Sequence, residues 1–154
     1  MDVSQQSISL AEYRQLTASK AAAVRVGRHK GPGPEELLQR ACIEWVVLHK
    51  ARYPILKWLT HVPNGGKRPK GEAGKLKAMG VKKGVPDLML PRRRLGWFGL
   101  AIELKAPGEK PSDDQAEWLA AFEEDGWVSG WTDSLEGFLA LMKLYLSGRP
   151  SGES

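Results

Sequence analysis

Two short apolar runs separated by a basic turn, within residues 85–105, constrain this chain more than any other stretch. The runs are VPDLML at 85–90 and WFGLAIELK at 97–105, and PRRRLG separates them. Proline, glycine and clustered charge between two apolar runs predict a β-hairpin with a longer loop. We therefore expect two antiparallel strands that turn at about Arg93–Arg94.

Three charged residues, Asp87, Glu103 and Lys105, interrupt these apolar strands. Such side chains are almost never fully buried unless they are paired, so the strands either reach the surface here or hold a site. Side chains alternate along a strand, which places Glu103 and Lys105 on the same face. The hairpin also brings Asp87, at the start of its first strand, beside the end of the second. We expect the three side chains to converge.

Two converging carboxylates repel each other unless a cation lies between them. Hard cations such as Mg²⁺ bind one or two carboxylates, while water and substrate phosphate fill the other positions. A bound metal ion lowers the pKa of water and stabilises charge that develops on a phosphate. Lys105 is then suited to orient or activate that water, or to neutralise the phosphate. The alternative is a surface hairpin with solvated charges.

The spacing of Pro86-Asp87 and Glu103-Leu104-Lys105 resembles the motif of the PD-(D/E)XK nuclease superfamily. The surrounding residues are similar to the virus-type replication-repair nuclease (VRR-NUC) family, in its stand-alone phage or bacterial form, over residues 34–146. The matching positions are, in order, Gly80, Gly84 to Leu88, Ile102 to Gly108, Ser112 and Gln115. The acid–acid–lysine triplet alone is a weak signal, whereas the ordered set is much more specific.

This resemblance implies an α/β fold with a restriction-endonuclease-like core, in which helices flank a mixed central β-sheet. It also implies an Mg²⁺ or Mn²⁺ site and hydrolysis that leaves 5′-phosphates. The implied metal ligands are Glu36, Asp87, Glu103 and the backbone carbonyl of Leu104. The implied catalytic residues are Asp87, Glu103, Lys105 and Gln115. Of these, Lys105 and Gln115 would set the attacking water in line with the phosphodiester.

A helix is predicted from Pro34 to about Lys50, because Pro suits a first helical position and acids favour the positive end. An apolar stripe at helical spacing, which makes Cys42 a predicted core residue, supports it: Leu37, Leu38, Ala41, Cys42, Trp45 and Leu48. Glu35 and Glu36 both lie in its first turn. Glu36 borders the stripe, and the family pattern places an acid of the metal site there, three residues before Gln39. Glu35 has the same chemistry but points about 100° away. We expect Glu36 to complete the site; a surface Glu that stabilises the helix end is the alternative.

The pattern Ser-x-x-Gln at Ser112 and Gln115 predicts another helix that opens with a capping box and ends at Gly126. Capping alone explains both residues. The resemblance gives Gln115 a second role, near Lys105, where it would hold water or phosphate. The two roles compete for one amide group.

Basic residues around a glycine-rich loop are the candidate DNA contacts. Small residues let a backbone approach a phosphate, and Lys and Arg supply the charge. The alternative is an ordinary solvated turn. The predicted DNA-binding residues are Asn64, Lys67, Arg68 and Lys70 in the loop, and Lys82 and Lys83 before the hairpin. We interpret His61 as structural, because the three histidines show no spacing typical of a histidine-based nuclease.

The remaining pattern predicts strands over 55–62 and 127–131, a short helix over 72–79 that Gly80 closes, and a last helix that begins near Ser134. The order is helix, strand, helix, hairpin, helix, strand, helix, which is typical of an α/β chain with a mixed sheet.

Three segments are expected along the chain. Residues 1–33 form a basic arm that is either flexible or in contact with DNA or a second subunit, and 34–147 form the nuclease domain. Residues 148–154 are rich in Gly, Pro and Ser and are predicted to be a disordered tail.

Composition narrows the function classes. A chain of 154 residues suits one domain, and a net charge of +5 is compatible with a polyanionic partner without identifying it. The single Cys42 excludes an intramolecular disulfide and a cysteine-based zinc cluster. No secretory signal precedes the domain, and no apolar run is long enough to cross a bilayer. We expect no membrane partner and a cytoplasmic location, in a bacterial or phage-infected cell.

The leading hypothesis is a metal-dependent, structure-specific DNA endonuclease. Without an added reader domain, its contacts should favour backbone and shape over base edges, which points to branched DNA. The resemblance to stand-alone members implies a homodimer that acts on four-way (Holliday) junctions, and a two-fold dimer suits two symmetric cuts. Three alternatives stay open: flap, fork or non-specific nicking; a sequence-specific restriction-type enzyme; and a DNA-binding module without catalysis.

Overall fold

The computed structural model describes residues 31–64, 69 and 71–150. Its helices are α1 (Pro34–His49), α2 (Glu72–Ala78), α3 (Asp113–Glu124) and α4 (Leu135–Ser147), with a 3-10 helix at Pro54–Trp58. Its strands are β1 (Thr60–His61), β2 (Leu88–Leu90), β3 (Leu100–Leu104) and β4 (Val128–Thr132). The strands form one sheet in the order β1-β2-β3-β4, antiparallel except for the parallel pair β3 and β4. The predicted α/β class with a mixed sheet flanked by helices is confirmed.

The predicted hairpin is present as β2 and β3, but its turn lies later than Arg93–Arg94. Arg94 and Trp97 exchange two backbone hydrogen bonds, each 2.9 Å long, so Leu95 and Gly96 make the turn. Both turn residues have positive φ, 45° for Leu95 and 92° for Gly96. Two successive positive φ angles are typical of the type I′ turn, whose twist matches that of the strands.

The register of the hairpin determines which charged residues meet. Leu88 pairs with Ile102 across β2 and β3. Continuing this antiparallel register by one residue places Asp87 opposite Glu103. The acidic end of the hairpin is therefore the end furthest from its turn.

The strand predicted over 55–62 is wrong for most of its length. Pro54–Trp58 forms a 3-10 helix, in which the Leu56 N–H donates to the Tyr53 carbonyl at 2.9 Å. Pro54 explains this, because its fixed φ and missing N–H suit the first residue of a helical turn. Only Thr60–His61 joins the sheet, at the edge beside β2.

The other predicted elements are found within a residue or two of their predicted ends. Gly80, with φ of 90°, follows α2 in the left-handed conformation expected of a helix cap. The Ser134 hydroxyl caps α4 by accepting from the Gly137 N–H at 3.1 Å. The strand predicted over 127–131 is observed one residue later, as β4.

The core lies between the sheet and two helices, α1 and α4. Trp45 of α1 meets Phe138 of α4 edge to face, with ring centroids 5.9 Å apart. Cys42 is fully buried in the same cluster, and burial raises the pKa of its thiol to about 12. This agrees with the prediction of a core cysteine. In the part of the chain that the structure describes, no helix is both long enough and apolar enough to span a bilayer.

The end of the chain differs in part from the predicted disordered tail. The Arg149 N–H donates to the Leu95 carbonyl at 2.8 Å, so residues 148–150 contact the hairpin turn. Residues 151–154 and residues 1–30 of the predicted arm lie outside the described residues.

Candidate active site

The acidic end of the hairpin brings together the three charged residues that interrupt its strands. The Leu104 N–H donates to Asp87 Oδ2 at 2.8 Å, which fixes this carboxylate between the two strand ends. Lys105 Nζ lies 2.9 Å from Glu103 Oε1. The charge of Asp87 also acts on Glu103 and makes ionisation of the Glu103 carboxyl less favourable.

Glu103 is the most unusual residue of this cluster. It is only 1% exposed, and its Oε2 atom is buried without a hydrogen-bond partner. Burial raises the pKa of its carboxyl to about 7, and the charge of Asp87 adds to this, while the hydrogen bond from Lys105 opposes it. A buried carboxylate oxygen without a partner costs free energy, and a cation that binds there removes that cost.

Lys105 is a cation in this site. Burial alone acts to lower its pKa, but the hydrogen bond to Glu103 and the surrounding acidic charges outweigh burial and raise it. The ammonium group therefore keeps its proton at neutral pH. It is suited to orient water or neutralise a phosphate, and not to remove a proton.

The first helix presents Glu35 to the cluster, and not Glu36. Burial is the main reason why the pKa of Glu35 is raised, and the charge of Asp87 is the next. The Glu36 side chain is 53% exposed and pairs with Arg40 at 2.6 Å on the solvent side. The predicted choice of Glu36 is therefore corrected to Glu35.

Gln115 completes the predicted capping box and also contacts Glu103. Its Oε1 accepts from the Ser112 N–H at 2.8 Å, and the Ser112 hydroxyl accepts from the Gln115 N–H at 3.3 Å, which completes the capping box. Its Nε2 donates to Glu103 Oε1 at 2.5 Å. The two roles do not compete, because each uses a different end of the amide.

Two residues near β1 hold the backbone around Asp87. The Asn64 side-chain amide donates to the Val85 carbonyl, and His61 Nδ1 lies 3.0 Å from the Asp87 carbonyl. The Val62 N–H donates to the same Asp87 carbonyl at 2.8 Å. Asn64, which was predicted to contact DNA, thus fixes the entry to β2, and His61 has the structural role expected of it.

The predicted DNA-binding lysines lie beside a close contact between a loop and α3. Lys82 and Lys83 are exposed, and the Lys83 carbonyl accepts from Trp118 Nε1 at 2.8 Å. At Gly84, with φ of 80°, an added Cβ would lie 2.6 Å from a backbone carbon of Asp114. Only glycine allows the loop to approach α3 this closely. The other predicted contacts, Lys67, Arg68 and Lys70, lie outside the described residues.

The acidic cluster is suited to a metal ion although it is not a complete set of ligands. Within residues 31–64, 69 and 71–150, no three His, Cys, Asp or Glu side chains form a ready-made metal-binding group. Mg²⁺ does not require one, because it binds through one or two carboxylates and keeps several waters. The unpartnered Oε2 of Glu103, opposite Asp87, offers such a position.

Comparisons with known proteins identify the family of this chain. The family model of the VRR-NUC domain matches residues 33–131, which include α1, the hairpin, α3 and most of β4. A solved structure described as a VRR_NUC domain protein superposes with a TM-score of 0.60 at 26% sequence identity, covering 72% of this chain and 86% of that chain. No curated protein matches. A VRR-NUC domain implies a nuclease, hence a hydrolase, with DNA as its substrate. Because the family model matches residues 33–131, which contain the whole acidic cluster, the chain belongs to the VRR-NUC family.

Proposed function

We propose that this protein is a divalent-metal-dependent DNA endonuclease that cuts branched DNA. The observation that carries the proposal is the buried Oε2 of Glu103, which has no hydrogen-bond partner and lies among acidic charges. A cation at this position would satisfy Glu103 and relieve its repulsion with Asp87.

The proposed metal ligands are the side chains of Glu35, Asp87 and Glu103 and the carbonyl of Leu104. When bound, Mg²⁺ or Mn²⁺ supplies an activated water and stabilises negative charge on the phosphate. The Leu104 N–H holds Asp87 in place, and Gln115 holds Glu103, so both carboxylates are positioned before substrate arrives. Such preorganisation removes the cost of ordering them during the reaction.

Lys105 and Gln115 have complementary roles in this proposal. Lys105 is half-buried and keeps its charge, so it neutralises the phosphate or orients the attacking water. Gln115 is held by α3 and positions Glu103, and through it Lys105. In-line attack of water on the phosphorus would leave a 5′-phosphate on one product.

The substrate follows from what a domain of this size offers for recognition. We propose that the domain matched at residues 33–131 distinguishes its substrates by backbone and shape and not by base edges. We propose four-way junctions as the preferred substrate and a homodimer as the active form, since a two-fold axis pairs two symmetric cuts. We further propose that the protein acts in the cytoplasm of a bacterial or phage-infected cell.

The catalytic part is tested by nicking of supercoiled plasmid with Mg²⁺ or Mn²⁺. Asp87→Ala and Lys105→Ala are expected to lower the rate at least about 100-fold, because each removes a group that acts on the reacting atoms. Lys143→Ala, an exposed lysine on α4, is the matched control and should behave as the wild type. Equal rates in all four proteins would remove this site. A wild type that binds DNA tightly but never nicks it would instead indicate a binding module.

The substrate part needs a panel of synthetic DNAs. Junctions, forks, flaps and plain duplex are compared at equal concentration, and the molecular mass in solution is measured by sedimentation. Fastest cutting of junctions by a dimer supports the proposal. Faster cutting of flaps or forks, or discrete fragments from plain duplex, would replace it with the corresponding alternative.

A further inference from the structure

The end of the hairpin opposite the acidic cluster carries a strongly basic surface that the proposed reaction does not use. It is formed by three segments, 50–58, 91–99 and 144–150. Together they contain seven Lys and Arg residues and no Asp or Glu. The whole chain has a net charge of +5, so the rest of the chain is net negative. Within residues 31–64, 69 and 71–150, net positive charge is thus concentrated at this end.

Specific bonds hold the three segments together. Arg94 Nε donates to the Leu146 carbonyl and Trp97 Nε1 donates to the Leu144 carbonyl, each at 3.1 Å. The Arg92 guanidinium lies over the Trp58 ring, 5.2 Å from its centre. The fold therefore brings together charges that are distant in the sequence.

Exposed cations lie over exposed aromatic rings here, and we name these residues the basic–aromatic surface. It consists of Lys57, Trp58, Arg92, Arg93 and Phe98. Trp58 is 49% exposed and Phe98 44% exposed. Lys57 and Arg92 both lie over Trp58, and Arg93 lies 4.0 Å from the centre of the Phe98 ring. A ring orders a cation above it without neutralising its charge.

In the described ranges, no cation of this surface has a carboxylate partner: the ion pairs there are Arg40 with Glu36 and Lys105 with Glu103. If these side chains served only to cover the two rings, uncharged side chains would do so without the repulsion between neighbouring cations. Ordered guanidinium groups that keep their charge are suited instead to bind phosphates. Because cations cover the rings, unpaired bases have little ring surface on which to stack.

We propose that the basic–aromatic surface binds the phosphate backbone of duplex DNA at a second position, away from the cut. Phe98 lies five positions before Glu103 along β3 and its approach, which corresponds to about 16 Å. The phosphates held here are therefore different from the phosphate at the acidic cluster. This goes beyond the proposed reaction and does not require it, because binding needs neither metal nor catalysis.

The test is the affinity for a fluorescently labelled, unbranched duplex in EDTA, measured by anisotropy over a range of salt concentrations. Arg92→Gln/Arg93→Gln is compared with Arg40→Gln/Lys143→Gln, which removes the same charge from exposed positions outside the three segments. The first pair should weaken binding about tenfold and lower the salt slope by about 2, since each lost phosphate contact lowers it by about 0.9. The second pair should change the slope little.

A pair of substitutions that keeps both charges tests whether weaker binding comes from the lost charge or from a change in the fold. Arg92→Lys/Arg93→Lys should retain the salt slope and most of the affinity, while thermal melting shows that all three variants are folded. Equal effects of the two Gln pairs, or a Lys pair as weak as the first Gln pair, would overturn the proposal. A first Gln pair that alters the mass in solution but not DNA binding would assign the surface to a second copy of the chain. Failure of plasmid nicking leaves this test unaffected.

Discussion

The two ends of the β2–β3 hairpin carry opposite charges in opposite environments. At one end Glu103 is 1% exposed, and Lys105, Gln115 and the Leu104 N–H engage the two carboxylates. At the other end, exposed cations lie over aromatic rings. Burial makes an unpaired charge costly, so each buried group must have a defined partner. Exposed charges cost little singly and act together on a polyanion. The first end is thus suited to chemistry at one phosphate, and the second to holding many.

The largest effect that tests this contrast is expected from two adjacent acids on α1. Glu35→Gln should lower metal-dependent nicking at least about 100-fold, because Glu35 faces the acidic cluster and is a proposed metal ligand. Glu36→Gln should stay near the wild-type rate, since Glu36 pairs with Arg40 on the exposed side. The measurement is the initial rate over a range of Mg²⁺ concentrations.

This pair of variants is matched in residue type, charge and position in the first helical turn. A reversed result, with Glu36→Gln inactive and Glu35→Gln active, would restore the assignment expected from the sequence. Binding of duplex in EDTA should differ little between the two variants, because neither residue lies near the basic–aromatic surface.

The choice between these acids shows where sequence reasoning reached its limit. The predicted stripe of α1 included Leu37 and Leu48, which are 54% and 47% exposed, and these two rotate the inferred buried face away from the true one. The residues of α1 that are buried in the structure include Cys42 and His49. Seven residues make nearly two full turns, so Glu35 lies in line with both of them. The spacing can be read from the sequence, but which face of α1 is buried is seen only in its packing against the sheet.

The hairpin, by contrast, was predictable because its signals are local. Turn residues between two apolar runs, and alternation along β3, sufficed to place Asp87, Glu103 and Lys105 together. The strand predicted over 55–62 was wrong because its local signal was ambiguous. A short apolar run fits either a strand or a helical turn, and Pro54 favoured the turn.

A smaller effect is expected where the acidic end meets α3. Gly84→Ala should lower nicking about tenfold and unfolding free energy by about 2 kcal/mol, because the new Cβ meets the backbone of Asp114 and alanine disfavours a φ of 80°. The displaced loop carries Asp87, whereas α3 carries Gln115. Both nicking and chemical unfolding should be measured.

Gly80→Ala is the control that separates strain from collision. Gly80 also has a positive φ, of 90°, but an added Cβ there meets nothing within 4 Å. It should destabilise the protein while leaving the nicking rate near that of the wild type. Equal losses of activity at both positions would mean that the contact with Asp114 does not position the site.

At the basic end, Tyr145 gives a pH-dependent effect of about 1 kcal/mol. Its hydroxyl donates to the Arg92 carbonyl at 2.8 Å, and burial raises its pKa to about 12 although Arg94 and Arg92 act to lower it. Tyr145→Phe loses this bond and should be less stable at pH 8. Above pH 10 the unfolded tyrosine ionises first, so the wild type loses stability as the pH rises towards 12.

The difference in unfolding free energy between the two proteins should therefore shrink above pH 10 and vanish before pH 12. Urea unfolding at pH 8 and pH 11 measures it, and ionisation of lysines affects both proteins alike. A constant difference across this range would show that Tyr145 titrates as it does in the unfolded chain.

The smallest effect concerns the turn that joins the two strands at the basic end. Leu95 has a φ of 45°, which is unfavourable for leucine, and its side chain is 63% exposed. Asparagine before glycine is the preferred pair in a type I′ turn, so Leu95→Asn should stabilise the protein by about 0.5 kcal/mol. The Leu95 carbonyl, which accepts from Arg149, is retained in the variant. DNA binding in EDTA and nicking should both stay unchanged, because Leu95 belongs neither to the proposed metal site nor to the basic–aromatic surface. A loss of stability would mean that contacts of the Leu95 side chain with residues 148–150 outweigh the backbone strain.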